Sequence, residues 1–140
     1  PRGETPPMSF LLDSNICSAH LRRPAGLAHH FIQYGGRLFT TTVVLAELYT
    51  WAFKRADTQR MLQLIDEELL ADIQVLPFDE ACAFEFGRVR GSLLKQGLDA
   101  CSVDLLIAAV ALHHDLTLVT HNTVDFRNIP ALRIQDWLAP

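Results

Sequence analysis

A chain of 140 residues, 49% of them hydrophobic, is long enough for one domain that buries roughly 70% of the surface its unfolded form exposes, and too short for two. No apolar run reaches the eighteen or so residues of a membrane span, so a protein of the cytoplasm with no membrane partner is expected. Twelve Lys and Arg against sixteen Asp and Glu leave a net charge of −4, which excludes an overall basic footprint for nucleic acid.

Pro1 to Pro7 (PRGETPP) has three prolines, a glycine and no apolar period. It is expected to be a disordered leader or cloning remnant, with one domain over residues 8–140. Met8 to Asp13 (MSFLLD) reads as a buried strand ending in an acid, Ala25 to Gly36 as a short helix closed by two glycines, and Arg37 to Thr41 as a second strand. From Thr42 to Arg55, Val44, Leu48 and Trp51 recur at the spacing of a helix facing a core. The pattern repeats over Thr58 to Ala71 with Met61, Leu62, Ile65 and Leu69, leaving Asp66, Glu67 and Glu68 on a solvated face.

Ile73 to Leu76 is strand-like. Asp79 then predicts the cap of a helix to Lys95, with Cys82, Phe86, Val89 and Leu93 on one face and Gly97 ending it. Ser102 predicts a further cap, for a helix from Val103 to His114; Leu116 to Thr120 (LTLVT) and Leu132 to Ile134 are the last two strands. The three cysteines, Cys17, Cys82 and Cys101, show no C-x-x-C spacing, which argues against a disulfide framework or a thiolate zinc site.

Strands alternating with helices predict an α/β domain with a mainly parallel sheet, because parallel strands need crossover connections and these are helical. Ligands of such sheets bind outside the carboxyl ends of the strands. Asp13 ends the first strand, Glu47 lies in the second turn after the second, Asp104 in the first turn of its helix, and Asn122 just after LTLVT; all four fall at that rim. Two carboxylates about 5 Å apart repel by roughly 3 kcal/mol at an effective dielectric of 20, so a cluster of three calls for a cation. Oxygen ligands without thiolate or imidazole suit Mg²⁺ or Mn²⁺, which activate water and stabilise charge on a phosphodiester.

Ordinary explanations stand beside these. Asp13 and Asp104 can cap helices or meet their dipoles, and Asn122 can be a turn residue. Glu47, flanked by Val43, Val44, Leu45, Ala46 and Leu48, is expected to be partly buried. Six histidines include two adjacent pairs, which cannot share one site; His121 is nearest the rim. Tyr49, Trp51 and Phe53 serve equally well for base stacking, core packing or a dimer contact.

The segments LLDSNI (11–16), TTVVLAEL (41–48), DLLIAAVAL (104–112) and LVTHNTVDF (118–126), in this order, resemble the PIN-domain nucleases, and more narrowly the VapC-type toxins of bacteria. The resemblance implies a three-layer α/β/α fold, Mg²⁺- or Mn²⁺-dependent endoribonuclease activity on an RNA substrate, a small antitoxin partner, and a homodimer. Matched by position, Asp13, Glu47 and Asp104 are the family's three core acids, and Asn122 stands where many members have Asp. Asp125, three residues on, is the alternative fourth metal ligand. Ser14 and Asn15 match positions that bind substrate phosphate or orient the first acid, and Thr120 is a candidate to hold a site carboxylate by hydrogen bonding.

A phosphoryl-transfer or receiver domain also puts an Asp after its first strand, but here Asn15 breaks the D-x-D pattern and no lysine follows Leu118 to Thr120. A catalytically inactive PIN fold acting as a binding or assembly module is the second alternative, suggested by Asn122 and the acidic charge.

Overall fold

The computed structural model describes residues 8–22, 24–99 and 102–139. The leader expected over Pro1 to Pro7 lies outside them, as does Cys101; Cys17 and Cys82 are free thiols. Five strands form one parallel sheet: β1 (Phe10–Leu12), β2 (Leu38–Thr41), β3 (Gln74–Leu76), β4 (Thr117–Val119) and β5 (Ile134–Gln135). Their spatial order is β3-β2-β1-β4-β5. The central strands are buried end to end, Phe10 at 1% exposure and Leu11, Leu12, Leu118 and Val119 at 0%, as expected of parallel strands covered on both faces.

Among the described residues, seven α-helices flank the sheet: α1 (Ser14–Arg22), α2 (Pro24–Gln33), α3 (Thr42–Phe53), α4 (Thr58–Leu64), α5 (Glu80–Lys95), α6 (Ser102–His113) and α7 (Thr123–Phe126). α1 packs on α2 and α3, and α3 on α4; α6 packs on α5 and α7. This grouping is what right-handed crossovers produce when the chain moves outward to β3 along one face and returns to β4 and β5 along the other. The result is a three-layer α/β/α sandwich.

Local chemistry accounts for the element ends. Asp79 caps α5 by accepting from the Cys82 N–H at 3.0 Å. Gly97, at φ +76°, closes the same helix: its N–H donates to Leu94 O at 3.0 Å and the Leu98 N–H to Leu93 O at 2.9 Å.

Several boundaries differ from the sequence reading. α1 is missing from that reading because its buried face, Ile16, Cys17, His20 and Leu21, includes a histidine, which does not count as apolar. His20 is a core residue stacked on Phe31 at 3.8 Å between ring centroids. The helix expected over Ala25 to Gly36 runs from Pro24 to Gln33, and its last residues form a turn. The helix expected over Thr58 to Ala71 changes at Ile65 into a π-helical turn, Ile65–Leu69. The wider turn carries Asp66, Glu67 and Glu68 round the solvent side while Ile65 and Leu69 stay buried. The last strand is Ile134–Gln135 rather than Leu132 to Ile134, set by pairing of Ile134 with Leu118. α7, where the sequence pattern assigns no element, is anchored by fully buried Phe126.

Candidate active site

The strand order reverses between β1 and β4: from β1 the chain moves to β2 and β3 on one side, and β4 and β5 lie on the other. Loops leaving two such strands diverge and open a crevice at their carboxyl ends. Asp13 directly follows β1 and Thr120 directly follows β4, so they face one another across it.

Asp13 is only 4% exposed. Its Oδ1 accepts from the Ser14 N–H at 2.8 Å, and its Oδ2 from the Thr120 hydroxyl at 2.8 Å and Asn15 Nδ2 at 3.3 Å. Thr120 Oγ1 also accepts from Asn15 Nδ2 at 3.2 Å and from the Asn122 N–H at 3.1 Å. A hydroxyl has one proton, and both other neighbours are donors, so that proton is committed to Asp13. Asn15 Oδ1 accepts from the His121 N–H at 2.9 Å, which laces the β1–α1 turn to the β4–α7 turn. The His121 ring itself turns outward to Asp136, 3.0 Å away.

Burial pushes the Asp13 carboxyl above the usual carboxylate range, against the hydrogen bonds from Thr120, Ser14 and Asn15. The Glu47 carboxyl is also raised, first by local burial, then by the charges of Asp13 and Asp104. The expected partial burial of Glu47 is not found: the residue is exposed. α3 turns Val44, Leu48 and Ala52 into the core, which leaves Glu47 at the border of that face. Trp51, expected on the core face, is half-buried, because Ala52 takes the next core position.

Two openings share the candidate residues. One, of about 270 Å³, is lined by Ser14, Asn15, Glu47, Trp51 and Asn122 among others. The second, of about 210 Å³, is lined by Asp99, Asp104, Asp125 and Asn128 over Leu93 and Ile129. Asp104 is half-buried in the first turn of α6, and a contact between α3 and α6 brings its helix to that of Glu47. Asp125 is exposed, its N–H donating to Asn122 O. Asp99 and Asn128 escaped the sequence reading because both stand in irregular segments where spacing carries no signal. Among the described residues, no three His, Cys, Asp or Glu side chains stand close enough to enclose a metal ion. None of the described helices is long and apolar enough to cross a membrane.

The model of the PIN domain family matches residues 10–132. The tRNA(fMet)-specific endonuclease VapC of Shigella flexneri is 34% identical over 131 residues, 93% of this chain and 98% of its own length. Ribonuclease VapC2 of Haemophilus influenzae is 32% identical over 132 residues, 94% of this chain and 99% of its own. The crystal structure of DNA-bound VapBC from Salmonella typhimurium superposes with a TM-score of 0.86 at 29% identity, covering 94% of this chain and 99% of that one. With the family pattern running from β1 through α7 and relatives of matching length above 30% identity, the chain belongs to the PIN-domain family, in its VapC branch.

Proposed function

We propose that this chain is an endoribonuclease that hydrolyses RNA phosphodiester bonds with Mg²⁺ or Mn²⁺, and that it is the toxin of a toxin–antitoxin pair of the cytoplasm. The observation that carries this reading is the buried Asp13 at the β1/β4 crevice, with Glu47 close enough to feel the charges of both Asp13 and Asp104. The ribonuclease names of the relatives and the VapBC complexes among the structural neighbours support it.

The donor set fits a hard divalent cation: three carboxylates, the Asn122 amide oxygen, and neither thiolate nor imidazole. Asp13, Glu47 and Asp104 would hold the ion, with Asn122 or Asp125 as the fourth ligand. Bound there, the ion supplies Lewis-acid stabilisation of charge building on the phosphoryl group.

The protein's own groups do the rest. Thr120 and Asn15 hold Asp13 in one orientation, so little reorganisation accompanies the reaction. Glu47 lines the same opening as Ser14 and Asn15, where its carboxylate would serve the cation. Ser14 and Asn15 border the same opening and suit contact with the substrate phosphate. A small antitoxin with a basic segment would neutralise this acidic rim, and a homodimer is the expected assembly.

The test is cleavage of RNA by purified protein with Mn²⁺ or Mg²⁺, beside Asp13→Asn and Asp104→Asn. Losses on the order of 10²- to 10³-fold are expected in both variants. Equal activity in all three proteins would assign the cleavage to a contaminant, and no activity in any would favour a binding module.

A further inference from the structure

We propose that Trp51 is a base-stacking platform of the site: an unpaired nucleobase next to the scissile phosphodiester lies against its indole ring, with Arg55 fixing the ring from the other side. This rests on the nuclease reading above and adds the element that grips the substrate.

Trp51 stands four residues after Glu47 on α3, so the two share one helix face a turn apart, and both line the opening that holds Ser14 and Asn15. The Arg55 guanidinium lies 5.3 Å from the Trp51 ring centroid. Asp57 holds that guanidinium, Nε to Oδ1 at 2.8 Å and Nη2 to Oδ2 at 3.3 Å. The ring is therefore clamped before any ligand arrives, which lowers the entropy lost on stacking.

The other tryptophan shows what a structural role looks like in this molecule. Trp137 stacks on His30 at 4.3 Å, meets Phe10 at 5.2 Å and Tyr34 at 5.7 Å, and donates its indole N–H to Gln135. Trp51, among the described residues, has no aromatic neighbour within stacking distance and no acceptor for its N–H. The half-buried ring packs in part against the core and still lines the acidic opening, where its indole donor has no protein acceptor among the described residues.

The charge balance explains why such a surface is needed. A chain of net charge −4 with a carboxylate-lined site repels RNA phosphates, whereas stacking needs no charge and tolerates every base. Trp51 supplies affinity where a basic groove does not.

The experiment titrates full-length protein with a short single-stranded oligoribonucleotide in EDTA, which prevents cleavage, and follows tryptophan emission while labelled RNA reports binding. Wild type is expected to be quenched and Trp51→Phe, which retains only Trp137, is not. With Mn²⁺ present, Trp51→Leu is expected to raise KM about 10- to 100-fold with kcat within about threefold, while Trp51→Phe recovers most of the loss. RNA binding without quenching in the wild type overturns the platform, as does an unchanged KM in Trp51→Leu. If Trp51→Leu fails to fold, the quenching of the wild type still decides. Cleavage by the wild type tests the nuclease reading separately, so the two fail in different readouts.

Discussion

On the surface of the molecule, several acidic side chains are matched with arginines: Arg55 with Asp57, Arg88 with Glu85, and Arg133 with Asp115. The carboxyls of Asp57 and Glu85 are held below their ordinary range chiefly by the hydrogen bonds from those arginines. At the β1/β4 crevice the opposite holds. Asp13 is nearly buried, Glu47 is crowded by protein and by two like charges, and neither is paired with a Lys or Arg among the described residues. Cations are spent where desolvation is cheap and withheld where it is dear, which makes sense if the rim is reserved for a cation that comes from outside.

The sharpest way to break this comparison is to untie Asp13 while leaving its charge. Thr120→Val keeps the shape of a fully buried side chain but removes the hydroxyl that donates to Asp13 and receives Asn15 and Asn122. RNA cleavage, or Mn²⁺ affinity measured by titration, is expected to fall about 10- to 100-fold. Full activity in Thr120→Val would mean that the network is ornamental.

Removing the charge itself should act on stability in the unusual direction. Because burial raises the folded pKa of Asp13 above its unfolded value, the ionised form costs the fold stability at neutral pH. That cost disappears as pH falls through the folded pKa towards the unfolded one, where both states are protonated. Asp13→Asn, without divalent ions, is therefore expected to melt a few degrees higher than wild type at pH 7, with the gap closing near pH 4. Added Mn²⁺ should raise the wild-type melting temperature and leave the variant nearly unmoved. A variant that melts lower at pH 7 would show that the hydrogen bonds outweigh burial.

The smallest effect belongs to the surface. Asp115 adopts φ 55°, a conformation that Asn accepts, so Asp115→Asn removes the ion pair with Arg133 without straining the backbone. A change in melting temperature of no more than about 2 °C is expected, with no loss of activity. A larger change would erase the contrast between the two classes of carboxylate.

Much of this organisation is legible in the chain. The apolar runs at Phe10 to Leu12 and Thr117 to Val119, the cap at Asp79 and the glycine stop at Gly97 are local signals, and each is found where the sequence predicts it. α1 is hidden because His20 completes its buried face, and the π turn at Ile65 because the buried Met61, Ile65 and Leu69 are spaced by four, which an ordinary helix also tolerates. The exposure of Glu47 is not legible from its apolar neighbours because they lie on other faces of the helix: Val44 and Leu48 are buried, Val43 and Leu45 pack against the core in part, and Ala46 faces solvent.

By itself, then, the sequence determined the class of fold and which residue types stand at the carboxyl ends of the strands, since strand and helix periods and caps depend on near neighbours. Only the tertiary structure decided that Thr120 spends its single proton on Asp13, that Asp104 and Asp125 border a different opening from Glu47 and Asn122, and that Trp51 borders the site as well as the core. These are contacts between segments as much as 107 residues apart, and side-chain packing, unlike local periodicity, exists only once the sheet has closed.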